Sequence, residues 1–166
     1  MIEDAFAGIP NLTIEYYDVS GRTPQEIRAS INAVRPSDAN DGRRVDGLAR
    51  WQLRWSWRTT GRACDLSEPQ IDFSATILMP RLVDQETVAP RVLTRWRTYI
   101  AALERHEAGH VRRPFERGTE IAAAIRASTC EGVAEAAQRA YQDIARHDVE
   151  YDRATRHGAT EGAIFP

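Results

Sequence analysis

The sequence predicts an α+β fold, in which a small antiparallel β-sheet with one N-terminal helix precedes two long antiparallel helices. Residues 1–80 contain stretches in which apolar and polar side chains alternate, as in strands with one buried face. Residues 90–158 instead repeat apolar side chains every three or four positions, as helices do. A chain of 166 residues is long enough for one domain with a hydrophobic core. We therefore expect a single domain over residues 1–166.

The first strand and the first helix are predicted within the first forty residues. LTIEYYDV, residues 12–19, has the β-branched and aromatic composition of a strand. Thr23 is followed by a proline and, three residues on, by Glu26, which is the pattern of a helix N-terminal capping box. The helix is expected to continue to about Val34, because Pro36 disfavours helical backbone in the residue before it.

Two further strands are expected to complete the sheet. RWQLRWSWR, residues 50–58, places Leu53 and three tryptophans on one face and polar side chains on the other. We interpret the apolar face as core rather than as a stacking platform for sugars or nucleic acid, because the opposite face is fully polar. IDFSATILM, residues 71–79, alternates in the same way. Residues 59–70 between them are rich in turn-forming side chains and predict a link.

The second half of the chain predicts two helices that run antiparallel. The first begins at Pro90, and Pro114 should kink or break it, because proline lacks the backbone donor and its ring clashes with the preceding turn. Helix is expected to resume and to continue to about Ser128. The second helix covers residues 133–156 and ends at Gly158, because glycine readily adopts the backbone conformation that terminates a helix.

Charge and hydropathy argue against nucleic-acid binding and against a membrane span. The formal net charge is -2, which favours no polyanionic partner. No apolar stretch approaches the roughly 20 residues that a helix needs to cross a bilayer. The first ten residues, MIEDAFAGIP, lack the basic start and the apolar core of a signal peptide.

The chain has two cysteines, Cys64 and Cys130, and their number alone leaves open whether they form a disulfide or remain two buried thiols. Neither lies in a Cys-x-x-Cys pair, so a cysteine zinc site is not expected. A disulfide would join the β-rich half to the helical half and would stabilise the fold by roughly 4 kcal/mol. It would also indicate an oxidising compartment.

RHEAGH, residues 105–110, contains an HExxH pattern. His106 and His110 are one helical turn apart, so both imidazoles leave the same face of the helix and can chelate one ion. Glu107 projects slightly to the side, where it can act as a general base on a water molecule without binding the ion. The motif continues an apolar stripe of the predicted helix, so its histidines are expected to face the interior. Histidines that are exposed to solvent would not need to lie on an apolar stripe. The pattern therefore predicts a Zn²⁺ site with Glu107 as the catalytic residue.

A catalytic zinc site needs a third protein ligand. The further glycine and histidine with which metzincins extend the motif do not follow it, so the ligand must come from elsewhere in the chain. Counting outward from the turn between the two long helices places Asp152 level with His110 and His157 roughly level with His106. Asp152 and His157 are therefore the two candidates, and both could contribute, one as ligand and one beside it.

The motif and its surroundings resemble a bacterial family, DUF922, and this resemblance implies a secreted zinc-dependent protease. The likeness covers most of the chain and rests on several features: the Ser-Gly-Arg-Thr-Pro start of the first helix, the tryptophan-rich strand, Cys64, Met79-Pro80, Trp96, the HExxH motif, Cys130 and Tyr151-Asp152-x-x-Thr155-x-His157-Gly158. The resemblance implies a metallopeptidase-like protein that is secreted or periplasmic. It also favours a disulfide between the two cysteines.

These features together predict a zinc-dependent hydrolase, and within that class a metallopeptidase that cleaves an amide bond in a peptide or protein substrate. An alternative is a non-catalytic, zinc-stabilised binding module of the bacterial envelope, in which Glu107 would only support a histidine. A metal-free interaction domain held together by the disulfide is a third possibility.

Overall fold

The computed structural model of the protein describes residues 4–166 and confirms the α+β class. Within this range no helix is both long and apolar enough to cross a membrane. The strands are β1 (Leu12–Val19), β2 (Leu48–Thr60) and β3 (Ala63–Leu82), and the helices are α1 (Pro24–Val34), α2 (Pro90–Arg126) and α3 (Val133–Thr155). Helix α1 begins with the predicted capping box: Thr23 accepts from the N–H of Glu26, whose side chain accepts from the N–H of Thr23.

The sheet is mixed rather than fully antiparallel. Strand β3 lies in the centre, pairs antiparallel with β2 and pairs parallel with β1, in register from Leu12 opposite Ala75 to Val19 opposite Leu82. The expectation of an all-antiparallel sheet is therefore wrong for β1. Helix α1 and strand β2 lie between β1 and β3 along the chain, and a connection of this length allows β1 to enter the sheet in the same direction as β3.

Strands β2 and β3 form a longer hairpin than the sequence predicts. Most of residues 59–70, predicted as a link, belongs to the two strands, and only Gly61 and Arg62 form the turn. Gly61 has a φ of 59°, a left-handed conformation that suits glycine in such a turn. The pairing is irregular beyond Ser56, and this interruption of the ladder tolerates Pro69 within β3.

Helix α2 is one continuous helix from Pro90 to Arg126, so the predicted break at Pro114 is wrong. Pro114 cannot donate to the carbonyl of His110, one turn earlier, and the helix continues without that hydrogen bond. Buried side chains lie on both sides of Pro114, including Val111 and Ile121, and hold the helix against its neighbours. Tertiary packing thus outweighs the local cost of the proline.

The core lies where α2 packs against the sheet and against α3. Helix α2 therefore presents buried positions on two sides, and the HExxH motif falls within this buried surface. The tryptophans of β2 extend the core towards α3, where the rings of Trp51 and Trp55 lie 5.7 Å and 5.5 Å from the ring of Tyr141. The buried side chains of the core include Leu53, Phe73, Ile77, Met79, Leu103, Ile125 and Ile144.

Cys64 and Cys130 form a disulfide whose Cα atoms are 5.7 Å apart. Cys64 lies near the start of β3 and Cys130 in the turn between α2 and α3, so the bond joins the β-hairpin to the helical pair. The pairing favoured by the family resemblance is therefore present. A disulfide is typical of proteins that fold in an oxidising compartment outside the cytoplasm.

Candidate metal centre

His106 and His110 meet at the buried face of α2. Their Nε2 atoms are 3.1 Å apart, and the rings lie at 88° to each other with centroids separated by 4.7 Å. His106 is 2% exposed, so its imidazole has almost no contact with solvent. The predicted convergence of the two imidazoles, which follows from their spacing of one helical turn, is present in the structure.

Asp152 of α3 joins the two histidines. Its Oδ1 atom lies 3.2 Å from Nε2 of His106 and 3.2 Å from Nε2 of His110. The antiparallel packing of α2 and α3 brings this carboxylate to the level of the motif, as the count from the turn predicts. Three potential ligand atoms therefore form a nearly equilateral triangle at the contact between the two helices.

The second ring nitrogen of each histidine also faces a carboxylate. Nδ1 of His110 lies 2.7 Å from Oδ1 of Asp148, and Nδ1 of His106 lies 2.8 Å from Oε2 of Glu161. The indole N–H of Trp51 donates to the other oxygen of Asp148 at 2.9 Å. Such partners fix the tautomer and the ring orientation of metal-binding histidines, leaving Nε2 free to face an ion.

Glu107 is buried beside the three converging atoms and is 3% exposed. A close approach by Gly47, the residue immediately before β2, confines it: a Cβ on Gly47 would lie 2.5 Å from Oε1 of Glu107. Burial raises the pKa of Glu107 to about 7, even though His110 and His106 act in the opposite direction. A carboxylate with a pKa near neutrality is suited to accept and return a proton at neutral pH.

The charges of the site are strongly coupled. Burial would lower the pKa of His110, but hydrogen bonds to Asp148 and Asp152 raise it to about 10. Burial would likewise raise the pKa of Asp152, but hydrogen bonds to His106 and His110 hold it below its usual value. In the protein without an ion, a proton on His110 therefore balances part of the acidic charge.

His157, the other predicted candidate, does not face the two histidines of the motif. Its Nδ1 lies 2.5 Å from Oδ2 of Asp152, and its Nε2 lies 3.1 Å from Oδ2 of Asp41. The ring therefore contacts Asp152 rather than the two motif histidines, although it lines the same cavity as they do. His157 also forms a second group of potential ligand atoms with Asp38 and Asp41, all within 4.8 Å of one another.

Tyr151 packs against both histidines of the motif. It is 8% exposed, and its ring centroid lies 5.2 Å from that of His106 and 5.0 Å from that of His110. Its hydroxyl donates to Glu161 at 3.1 Å. The tyrosine thus supports both the motif and one of its carboxylate partners.

A small cavity of about 40 Å³ opens beside Glu107. Its walls come from the motif, from α3, from the start of β2 and from the loop before it; they include Asp38, Gly47, Ala49, His110, Asp148 and Asp152. This volume exceeds the about 10–15 Å³ that one water molecule requires. All three residues of the triangle of ligand atoms line this cavity, together with Glu107.

Sequence reasoning missed three carboxylates that the structure places at the site. Asp148 lies four residues before Asp152 on the same helix stripe, and this spacing could have indicated it. Glu161 follows the end of α3 and reaches His106 only because the chain reverses there; Gly158, at a φ of 81°, packs so close that a Cβ would lie 2.7 Å from the His106 ring. Asp41 lies in a polar loop that carries no local signal.

Comparison with known proteins identifies the family of the chain. No curated protein and no solved structure matches it. The family described as bacterial proteins of unknown function, DUF922, matches residues 14–158. This range contains all of the sheet except the first two residues of β1, and it contains the three helices, the disulfide and every residue of the triangle of ligand atoms. The chain therefore belongs to the DUF922 family of bacterial proteins.

Proposed function

We propose that this protein is a zinc-dependent hydrolase, and specifically a metallopeptidase. One observation carries the proposal: His106, His110 and Asp152 converge with separations of 3.1–3.2 Å beside the buried carboxylate of Glu107. Two histidines and one carboxylate that line one cavity form the kind of donor set that catalytic zinc sites use.

The separations of the donor atoms suit a zinc ion. Zinc bonds of about 2.0–2.1 Å in a tetrahedron place the ligand atoms about 3.3 Å apart. The three separations in this site lie within about 0.2 Å of that value. Calcium or magnesium would instead favour a shell made of oxygen atoms alone, which two imidazoles do not offer. When bound, zinc lowers the pKa of a coordinated water to about 7 and so supplies a nucleophile at neutral pH.

The protein residues have separate roles in this proposal. Glu107, with its pKa of about 7, accepts the proton of the attacking water and passes it to the leaving amine. Asp148 and Glu161 hold the imidazoles so that both Nε2 atoms face the ion. The cavity beside Glu107 has room for the attacking water next to the three ligand residues.

We also propose that the protein acts outside the cytoplasm, on a peptide or protein. The Cys64–Cys130 disulfide supports an oxidising compartment. The peptidase assignment rests on the HExxH arrangement, in which the glutamate next to the first ligand serves as base for amide hydrolysis. The alternative, a non-catalytic zinc module, needs the same ligands but no base.

The Glu107→Gln variant separates these two functions. The purified protein and the variant would be analysed for zinc and incubated with a mixed library of internally quenched fluorescent peptides. We expect about one zinc per chain in both proteins, and at least about 100-fold slower hydrolysis by the variant, because a positioned base contributes about 10²–10⁴-fold. Glu116→Gln, an exposed position on the same helix, is the matched control.

Two outcomes would contradict the proposal. Equal hydrolysis by the protein and by Glu107→Gln would remove the base from the mechanism. Zinc binding without cleavage of any library peptide would instead favour the non-catalytic module.

A further inference from the structure

The imidazole of His157 lies between two carboxylates, of which one belongs to the candidate metal centre. Nδ1 of His157 is 2.5 Å from Oδ2 of Asp152, while Oδ1 of Asp152 faces the two motif histidines. Nε2 of His157 is 3.1 Å from Oδ2 of Asp41. The two oxygens of Asp152 thus have different partners, and His157 holds the one that points away from the motif.

We propose that His157 is a positioning residue, which engages Oδ2 of Asp152 so that this carboxylate offers an ion only Oδ1, while Asp41 holds the His157 ring in place. This inference rests on the proposed zinc site. A carboxylate with both oxygens free can bind an ion through one or both of them. A second bond from Asp152 would take up the position that a catalytic site must keep open.

The backbone around His157 holds the ring in this place. Arg156 and His157 have φ values of 52° and 54°, in the left-handed region that side chains other than glycine rarely adopt. The N–H of His157 donates to the carbonyl of Asp152 at 3.0 Å, which closes the end of α3. A conformation that costs free energy at two successive residues turns the imidazole back towards Asp152.

Asp41 reaches His157 from a tightly closed loop. The N–H of Asp38 donates to the carbonyl of Arg43 at 2.8 Å, and the N–H of Gly42 donates to the carbonyl of Asp38 at 2.8 Å. Because the same loop contributes Asp38 to the wall of the cavity, the contact between Asp41 and His157 joins this wall to the end of α3. The loop and the ligand Asp152 are therefore coupled through one histidine.

Two other roles for His157 have to be separated from this one by experiment. As the third zinc ligand it would have to turn towards His106 and His110, but both of its ring nitrogens face carboxylates. As a ligand of a second ion, with Asp38 and Asp41, its Nε2 would bind a metal instead of contacting Asp41. Each role predicts a different metal stoichiometry or a different effect of substitution.

The test compares His157→Ala with His157→Asn, whose amide can still donate to Asp152 from near the position of Nδ1. Zinc affinity would be measured by competition with a chromophoric chelator, and the visible absorption spectrum would be recorded after loading with Co²⁺. We expect His157→Ala to keep one binding site but to weaken zinc affinity by about 10–100-fold, the range found for outer partners of metal ligands. Its Co²⁺ bands should lose intensity as the coordination number rises.

The other variants define the role further. His157→Asn should recover most of the affinity and the intensity of the Co²⁺ bands, and Asp41→Asn should fall between the two substitutions of His157. His147→Ala, at an exposed position on α3 whose side chain is 52% exposed, is the control and should match the unsubstituted protein.

Three results would overturn the inference while leaving the zinc site in place. The first is an unchanged zinc affinity and Co²⁺ spectrum in His157→Ala. The second is a complete loss of zinc binding in His157→Ala while Asp152→Ala still binds zinc. The third is binding of two zinc ions per chain, of which Asp41→Asn loses one. Failure of the unsubstituted protein to bind either metal would overturn the proposed function and this inference together. Because the readouts are metal affinity and a spectrum, an absence of hydrolysis alone would leave the inference standing.

Discussion

Nδ1 of His110 lies 2.7 Å from Oδ1 of Asp148, although the two residues belong to different helices. This contact orients the imidazole towards Asp152, and the indole N–H of Trp51 holds the same carboxylate from the sheet. The orientation of His110, a predicted ligand on α2, thus depends on contacts from α3 and from the sheet.

We expect Asp148→Asn to weaken zinc affinity by about 10–100-fold without abolishing binding, because outer partners of metal ligands have effects of this size. Competition with a chelator at constant pH would measure the change. Glu150→Gln, two residues away on the same helix and 55% exposed, is the matched control. Identical affinities for Asp148→Asn and the control would show that the contact does not support the ion.

Zinc affinity should fall as the pH falls. The pKa of His110 is raised to about 10 in the protein without an ion, and zinc binds only the neutral imidazole, so binding displaces a proton at any lower pH. One displaced proton corresponds to about a tenfold loss of affinity for each unit of pH. Titrations at several pH values, corrected for the chelator, would test this, and a constant affinity between about pH 7 and pH 9 would contradict it.

Folding stability should depend on Asp46 at acid pH. Burial would raise the pKa of Asp46, but hydrogen bonds from Arg28 and Tyr99 and the charge of Arg28 lower it overall. Arg28 binds both carboxylate oxygens, at 2.7 Å and 2.8 Å, and Tyr99 donates to one of them at 2.7 Å. The stabilisation of the folded state by ionised Asp46 is fully present above the ordinary pKa of an aspartate, about 4. It is lost as the pH falls through the lowered pKa of Asp46 in the folded protein.

Asp46→Asn should therefore lower the free energy of unfolding at neutral pH by on the order of 2–3 kcal/mol. The difference from the unsubstituted protein should shrink as the pH is lowered below about 4, because Asp46 itself then becomes neutral. Urea denaturation at a series of pH values measures both quantities. A difference that stays constant down to about pH 2 would exclude this linkage.

Loss of the disulfide should destabilise the fold without removing the metal centre. The bond links residues that are 66 positions apart, and a loop of this length corresponds to about 4 kcal/mol of chain entropy. We expect the double substitution Cys64→Ser, Cys130→Ser to lower the free energy of unfolding by about that amount. The reduced, unsubstituted protein should match the double variant, and a loss smaller than about 1 kcal/mol in both would refute this estimate.

Local patterns predicted the elements of this fold better than their pairing. Period-two alternation located β2 and β3, and the capping box at Thr23 located the start of α1. The predicted antiparallel direction of β1 was wrong because the pattern of a single strand does not reveal whether its neighbour runs parallel or antiparallel. The predicted break at Pro114 was wrong because only the local cost of proline can be read from the sequence. The packing that outweighs this cost comes from residues distant in sequence.

In the candidate site too, local sequence patterns predicted some residues, whereas residues brought in by distant parts of the chain were missed. The convergence of His106 and His110 depends on helical spacing alone, and that of Asp152 on helix length and the position of one turn, so all three could be predicted. Glu161 reaches the site after a chain reversal through left-handed residues, and Asp41 through a loop closed by its own backbone. Neither the chain reversal before Glu161 nor the loop that carries Asp41 has a periodic sequence pattern that could predict it.

The proposed function requires one zinc ion between α2 and α3. Crystals grown with one equivalent of zinc would be measured by anomalous diffraction at the zinc absorption edge. We expect one peak about 2.0–2.2 Å from Nε2 of His106, Nε2 of His110 and Oδ1 of Asp152. A peak bonded to His157 in place of Asp152, or no peak at the two motif histidines, would contradict it.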